Sequence, residues 1–169
     1  MIKFNSLRDV QKTAEELFEL HALSDKGWVF KFDNAVRRFG CCRPKKKEIS
    51  LSKKIVQLNL DYNPEKVHDT ILHEIAHALV HINYGPVKHA HGWEWKQTCI
   101  NIGANPERCY SASEVKTIQG KHKYVCKNCG REVFTHRKKR TQTACGKCCR
   151  TYNNNKFSLD YLLEYKGTV

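Results

Sequence analysis

His73-Glu74-Ile75-Ala76-His77 sets two imidazoles four residues apart with a carboxylate between them. On an α-helix each residue turns about 100° and rises about 1.5 Å, so His77 would lie about 40° round from His73 and one turn along. Both rings can then reach one divalent ion, the H-E-x-x-H arrangement of zinc hydrolases. Glu74 falls to the side, placed to touch water at the metal rather than to complete the ligand set. The chemistry this suits is hydrolysis at a carbonyl: zinc lowers the pKa of water, and the carboxylate takes the proton as the water attacks.

A catalytic zinc keeps three protein ligands and one open position. Four residues compete for the third place. His81 shares the face, but about 12 Å of helix separates it from His73, too far for one tetrahedral ion. His89 and His91 follow Gly85-Pro86, where the chain can fold back onto the helix. Glu94 is the option if the set is two histidines and a glutamate. The metzincin extension is missing, because Val80 and Asn83 stand where it requires Gly and His.

The chain has nine cysteines. Cys126-x-x-Cys129 and Cys145-x-x-Cys148 read as two knuckles closing a tetrahedral, structural zinc site. Cys149 competes with Cys148, which is preferred because it keeps the two-residue spacing. Cys41, Cys42, Cys99 and Cys109 read as packed or idle thiols. The start of the chain turns polar at once, so no secretory leader is expected. A reducing intracellular compartment, cytoplasm or nucleus, then follows, where disulfides are not the default.

These groups need elements to hold them. Residues 6–22 have the apolar spacing of an amphipathic helix, with Ser6 as its cap. Trp28 to Phe32 and Glu48 to Leu51 read as strands, Val56 to Leu60 as a third, and Gly40 to Lys47 as a turn; together they predict a short antiparallel sheet. Asn63-Pro64-Glu65 announces a helix from Pro64 to about Tyr84, stopped by Gly85-Pro86. On it Val67, Ile71, Ile75, Ala78 and Ile82 form an apolar stripe away from the imidazole pair. Leu72 and Val80 lie near that pair, so its side should be partly covered. Gly92 to about Ile102 reads as another helix. Trp93 and Trp95 either wall the metal cleft or pack, and Trp95 is assigned to the core. Residues 104–120 carry no clear pattern.

Of 169 residues, 30 are Lys or Arg and 17 are Asp or Glu, a formal charge of +13, with 40% hydrophobic residues. That balance suits a soluble globular protein and excludes collagen, coiled coil and membrane classes. The excess favours a polyanionic partner, nucleic acid first. Residues 121–150 hold ten of the Lys and Arg and a single acid, Glu132. There Lys123, Arg137, Lys138, Lys139 and Arg140 lie among Tyr124 and Phe134, as cations for phosphates and rings for unpaired bases. Tyr152 lies in the same basic stretch.

His73-Glu74-Ile75-Ala76-His77, then His91-Gly92-Trp93-Glu94-Trp95-Lys96, then the Cys-x-x-Cys pair resembles the SprT family, which includes the Spartan proteases of DNA–protein crosslinks. Asp69-Thr70-Ile71-Leu72 before the motif and Gly40 in the preceding hairpin extend the resemblance over most of the chain. It implies His91 as the third zinc ligand and Glu74 as the catalytic base. The expectation is an α+β chain: a zincin-like metallopeptidase domain at residues 1–115, then a β-rich, basic zinc ribbon at 116–169. Two zinc ions are expected, one catalytic and one structural. The expected activity is zinc-dependent hydrolysis of peptide bonds in DNA-bound or DNA-crosslinked proteins, a DNA-repair role. The expected partner is DNA, single-stranded or locally unpaired; the chain is expected to be a monomer and to need no membrane. The rival readings are a nucleic-acid-binding zinc protein without proteolysis and a metallohydrolase of another amide bond.

Overall fold

The computed structural model describes residues 2–107 and 113–169. It divides into two compact units, residues 1–118 and 119–169. The chain is a mixed α/β protein, with two small three-stranded sheets among the described residues.

The first unit begins with α1 (Leu7–Leu20). Ser6 Oγ accepts from the Asp9 amide and Asp9 Oδ2 accepts from the Ser6 amide, so a capping box fixes the start. Its Val10, Ala14 and Phe18 are buried on one face. Three strands follow: β1 (Val29–Asp33), β2 (Gly40–Arg43) and β3 (Glu48–Ser52). β3 is central, parallel to β1 and antiparallel to β2. The sheet is therefore mixed rather than antiparallel: β1 and β2 lie on opposite edges, so the chain has reversed once between them before the β2–β3 hairpin. The stretch expected as a turn is a strand as far as Arg43; a single 3-10 turn (Pro44–Lys46) and left-handed Lys47 then reverse the chain.

Strand alternation sorts the two faces. Phe30, Phe32, Cys42, Ile49 and Leu51 join the main core. The opposite face is polar and closed by charge. Arg38 pairs with Asp33 at 2.6 Å, Arg43 pairs with Glu48 at 2.6 Å, and Ser50 Oγ donates to Asp33 at 2.8 Å and accepts from Arg43 at 2.9 Å. Buried Ser50 and Glu48 are thereby satisfied.

The expected third strand at Val56 to Leu60 is instead part of α2 (Lys53–Asn59). Ser52 Oγ accepts from the Ile55 amide as an N-cap, and Ile55, Val56 and Asn59 are buried with helical spacing. The β-branched run suggested a strand; the cap and the three-four spacing outweigh it. Buried Asn59 also exchanges two hydrogen bonds with the Lys116 backbone, which pins residues 113–118 to this unit.

The long helix α3 (Pro64–Tyr84) is capped by Asn63, whose side chain accepts from the Lys66 amide, and ends at Gly85, φ +71°. Val67, Ile71, Ile75 and Ala78 enter the main core. Leu72, Ala76 and Val80 form a second apolar cluster with Trp95, Cys99 and Ala104 around α4 (Trp93–Asn101). The covering expected near the imidazole side is α4. Among the described residues no helix is long and apolar enough to cross a membrane.

The second unit is a three-stranded antiparallel sheet, order β5-β4-β6, made of β4 (His122–Cys126), β5 (Glu132–Thr135) and β6 (Leu163–Thr168). A short helix, α5 (Gly146–Tyr152), lies between β5 and β6 in sequence.

The polar face of the first sheet gives stability a pH dependence. Burial pushes the Asp33 carboxyl upward, but Arg38, the Ala35 amide and Ser50 outweigh it and hold it below the usual value. Lys31, and then Arg43, hold Glu48 low as well. Depressed folded-state values mean that the stabilisation is complete above about pH 4 and is lost as pH falls through them. Asp33→Asn should cost about 1–2 kcal/mol at pH 7, with a smaller difference near pH 3. Urea unfolding at both pH values checks this; an equal cost at each would assign the effect to packing.

Candidate metal centres

His73 and His77 stand one turn apart on α3, as their spacing requires. After Gly85 the chain doubles back, and the Gly92 amide donates to His89 O at 2.9 Å just before α4 begins. That reversal carries His91 onto α3. Its Nε2 lies 3.1 Å from His77 Nε2 and 3.3 Å from His73 Nε2. A tetrahedral ion with Zn–N bonds of about 2.0–2.1 Å demands ligand separations of about 3.3 Å. The three nitrogens therefore have the spacing of a metal ligand set, and the three residues form a group that could hold an ion. The other candidates fall outside it: His81 lines the adjoining cleft, His89 is exposed, and the Glu94 carboxylate lies by Gly92.

Trp95 both packs and walls. It is fully buried, its ring centroid lies 4.7 Å from those of His73 and His91 and 5.5 Å from that of His77, and its Nε1 donates to His73 O at 3.5 Å. Trp93 does neither: it is 66% exposed and meets Tyr84 edge to face at 5.9 Å. Burial lowers the pKa of His73 to about 4 and that of His77 to about 3, with neighbouring imidazoles adding to the effect. Both rings are thus neutral at physiological pH, the form that binds metal.

Glu74 projects beside the triad and is 7% exposed. Burial raises its pKa to about 7, while the Cys42 backbone hydrogen bond, Arg38 and Arg43 work in the other direction. It lines a cleft of about 580 Å³ with His73, His77 and His91, whose far walls include Val80, Pro86, Val87 and Ala90. A second hollow of about 410 Å³ meets the first at Gly40, His73 and Glu74, and its remaining lining is largely polar, with Arg37, Lys66, Asp69 and Glu107.

The second centre is Cys126, Cys129, Cys145 and Cys148, a group that could also hold an ion. Sγ of Cys126 and Cys148 are 3.8 Å apart, and those of Cys129 and Cys145 are 3.9 Å apart. Zn–S bonds of about 2.3 Å imply about 3.8 Å in a tetrahedron. In the first knuckle the Gly130 amide donates to Cys126 O, with Gly130 at φ +68°. In the second, amides of Cys148 and Lys147 donate to the Cys145 sulfur and lower its pKa against the effect of burial. Cys149 is buried but outside the set. Burial pushes the thiols of Cys42 and Cys99 up to about 12, as suits packed residues, and Cys41 lines the cleft. Cys109 lies outside the described residues.

The residues expected to meet nucleic acid separate into two kinds. Arg137, Lys138 and Arg140 are exposed. Lys138 Nζ stands 4.7 Å over the Tyr165 ring, while Lys123 is paired with Glu132 and stands 6.0 Å from the centre of half-buried Phe134. Tyr124 needs correction: it is 4% exposed and its hydroxyl accepts from the Lys139 amide at 2.8 Å, so its face is closed to a base. The most open rings of this unit are Tyr152, 65% exposed, and Phe157, 57% exposed, with Tyr165 next at 38%. The polar run Asn153-Asn154-Asn155 between them was the available signal.

Residues 7–122 match the SprT-like family. Protein SprT of Actinobacillus succinogenes is 35% identical over 75 residues, covering 42% of this chain and 44% of that relative. Protein SprT of Pseudomonas aeruginosa is 30% identical over 71 residues, covering 41% of this chain and 43% of that relative. The chain thus spans under half the length of the curated relatives it matches. With the family match covering well over half of its residues, this chain belongs to the SprT-like family.

Proposed function

We propose that the chain is a zinc-dependent peptidase acting on proteins bound or crosslinked to DNA, and that residues 119–169 contact single-stranded or unpaired nucleic acid. The observation that carries the peptidase reading is the convergence of three Nε2 atoms, two of the separations being 3.1 and 3.3 Å, beside a buried carboxylate at a cleft. His73, His77 and His91 would hold the catalytic zinc, and the four sulfurs a structural one. Zinc held there would supply a Lewis acid that polarises a carbonyl and makes water more acidic.

The remaining work falls to the chain. Glu74, with its pKa raised to about 7 by burial, can take a proton from the attacking water and return it to the departing amine. Trp95 fixes the orientation of all three rings and excludes water behind them. The two hollows meeting at Glu74 give room for an extended peptide on both sides of the scissile bond. Val80, Pro86, Val87 and Ala90 would receive an apolar side chain on one side.

Support for the nucleic-acid reading is the exposed cations Arg137, Lys138 and Arg140 and the open rings of Tyr152 and Phe157. Such a contact would raise the local concentration of peptidase on protein-laden DNA.

Glu74→Gln should retain both zinc ions and lower kcat by about 10²–10⁴-fold. Undiminished cleavage would remove Glu74 as the base. Metal analysis should find about two zinc ions per chain, falling to about one in His91→Ala. Unchanged metal content would remove His91 as a ligand. Arg137→Ala/Arg140→Ala should weaken single-stranded DNA binding and reduce the slope of log K against log salt by about 1.4. An unaltered slope would assign those cations to solubility.

A further inference from the structure

Gly40 sits in β2 opposite Leu51, in the regular ladder. Its φ is not among the positive values, so the strand backbone does not demand glycine. Glycine also weakens a strand. The demand comes from space. A Cβ at position 40 would stand 2.5 Å from Glu74 Oε1, 2.8 Å from its Cγ and 3.0 Å from its Cδ. The carboxylate therefore lies in the volume that any other residue would fill.

The same strand supplies a donor. Among the described residues β2 is an edge strand, paired only with β3, and α3 packs against it. The Cys42 amide hydrogen-bonds to the Glu74 carboxylate. This half-buried edge amide thereby has an acceptor, and the side chain is held from a second direction. β2 is itself anchored from the polar face of the sheet, where Arg43 reaches Glu48 and Ser50.

We infer that Gly40 and the Cys42 amide form a seat that positions the Glu74 carboxylate for catalysis: the glycine leaves the space and the amide fixes the direction. This rests on the reading of Glu74 as the base. Neither residue is a metal ligand, so the seat acts on the base without acting on the ion.

Gly40→Ala must push aside a side chain rather than a backbone segment, so the fold and the histidine set should survive. Both zinc ions should remain, KM should stay within about twofold, and kcat should fall about 100-fold, the scale of an ångström's misplacement. The Cys42 amide should exchange with deuterium about 10-fold faster or more as its acceptor is displaced. Glu74→Asp shortens the side chain by one methylene and clears the added methyl. The double variant Gly40→Ala/Glu74→Asp should therefore be more active than Gly40→Ala alone, although Glu74→Asp alone impairs the enzyme. Wild-type kcat in Gly40→Ala with unchanged exchange at Cys42 would overturn the inference. If Gly40→Ala does not fold, Glu74→Ala decides: faster exchange at Cys42 supports the seat, and unchanged exchange overturns it. If the wild type cleaves no peptide, the peptidase reading fails separately, while amide exchange still reports whether the seat exists.

Discussion

The packing of α4 across the Leu72-Ala76-Val80 face of α3 is the interaction on which the rest depends. Two histidines four residues apart make only half a site. The third arrives because Trp95 and Cys99, also four residues apart, bury themselves against that face. Truncating a fully buried indole costs about 3–5 kcal/mol, so α4 has one strongly preferred docking position. His91 immediately precedes that helix, so its place follows from the docking of Trp95. The ring of Trp95 then packs against all three imidazoles, joining the hydrophobic anchor and the candidate ligands in one packed unit.

α3 supports this by using three faces for three purposes. Val67, Ile71, Ile75 and Ala78 fix it to the main core, Leu72, Ala76 and Val80 receive α4, and His73 and His77 emerge between. Glu74 leaves the helix toward β2, so the sheet shapes the carboxylate while α4 shapes the ligand set. The two components of the proposed chemistry are thus positioned by different neighbours. On the proposed reading, a change in β2 would disturb the base without releasing metal, and a change in α4 would loosen the metal without moving the base.

Much of this was readable from residues. The helix bounds, its apolar stripe and the two-histidine face follow from a period of 3.6 and from caps at Asn63 and Gly85, which are local properties. The choice of His91 over His89 and Glu94 was not local. It depends on how the chain reverses between Gly85 and Gly92, and spacing leaves all three open; the family resemblance chose among them. The sheet was misread for a related reason. The parallel pairing of β1 with β3 is a long-range fact with no signature in the alternation of either strand. Ile55-Val56 looked like strand because β-branched residues favour strands on average, whereas Ser52 and Asn59 decide the segment as a helix. Gly40 was seen as part of a hairpin, but the reason for a glycine there is a side chain thirty-four residues away.

The second unit illustrates the opposite balance. Its fifty-one residues bury few large side chains, and its core cluster is three cysteines with Tyr161 and Leu163 alongside. A fold of that size with so little buried core commonly relies on a cross-link or metal. Four sulfurs at tetrahedral spacing meet that need, and a metal between them would tie β4 to α5 at a single point. With stability drawn from such a centre, the unit could leave Tyr152 and Phe157 outside. In the first unit an exposed aromatic ring forgoes burial that its core could use. Here the core is too small to take them, so exposure costs little and leaves flat apolar faces among cations. Tyr124 shows the limit of that freedom. It lies on the central strand, where flanking strands cover both edges, and its ring and hydroxyl are taken up in holding the sheet to the segment carrying Lys139.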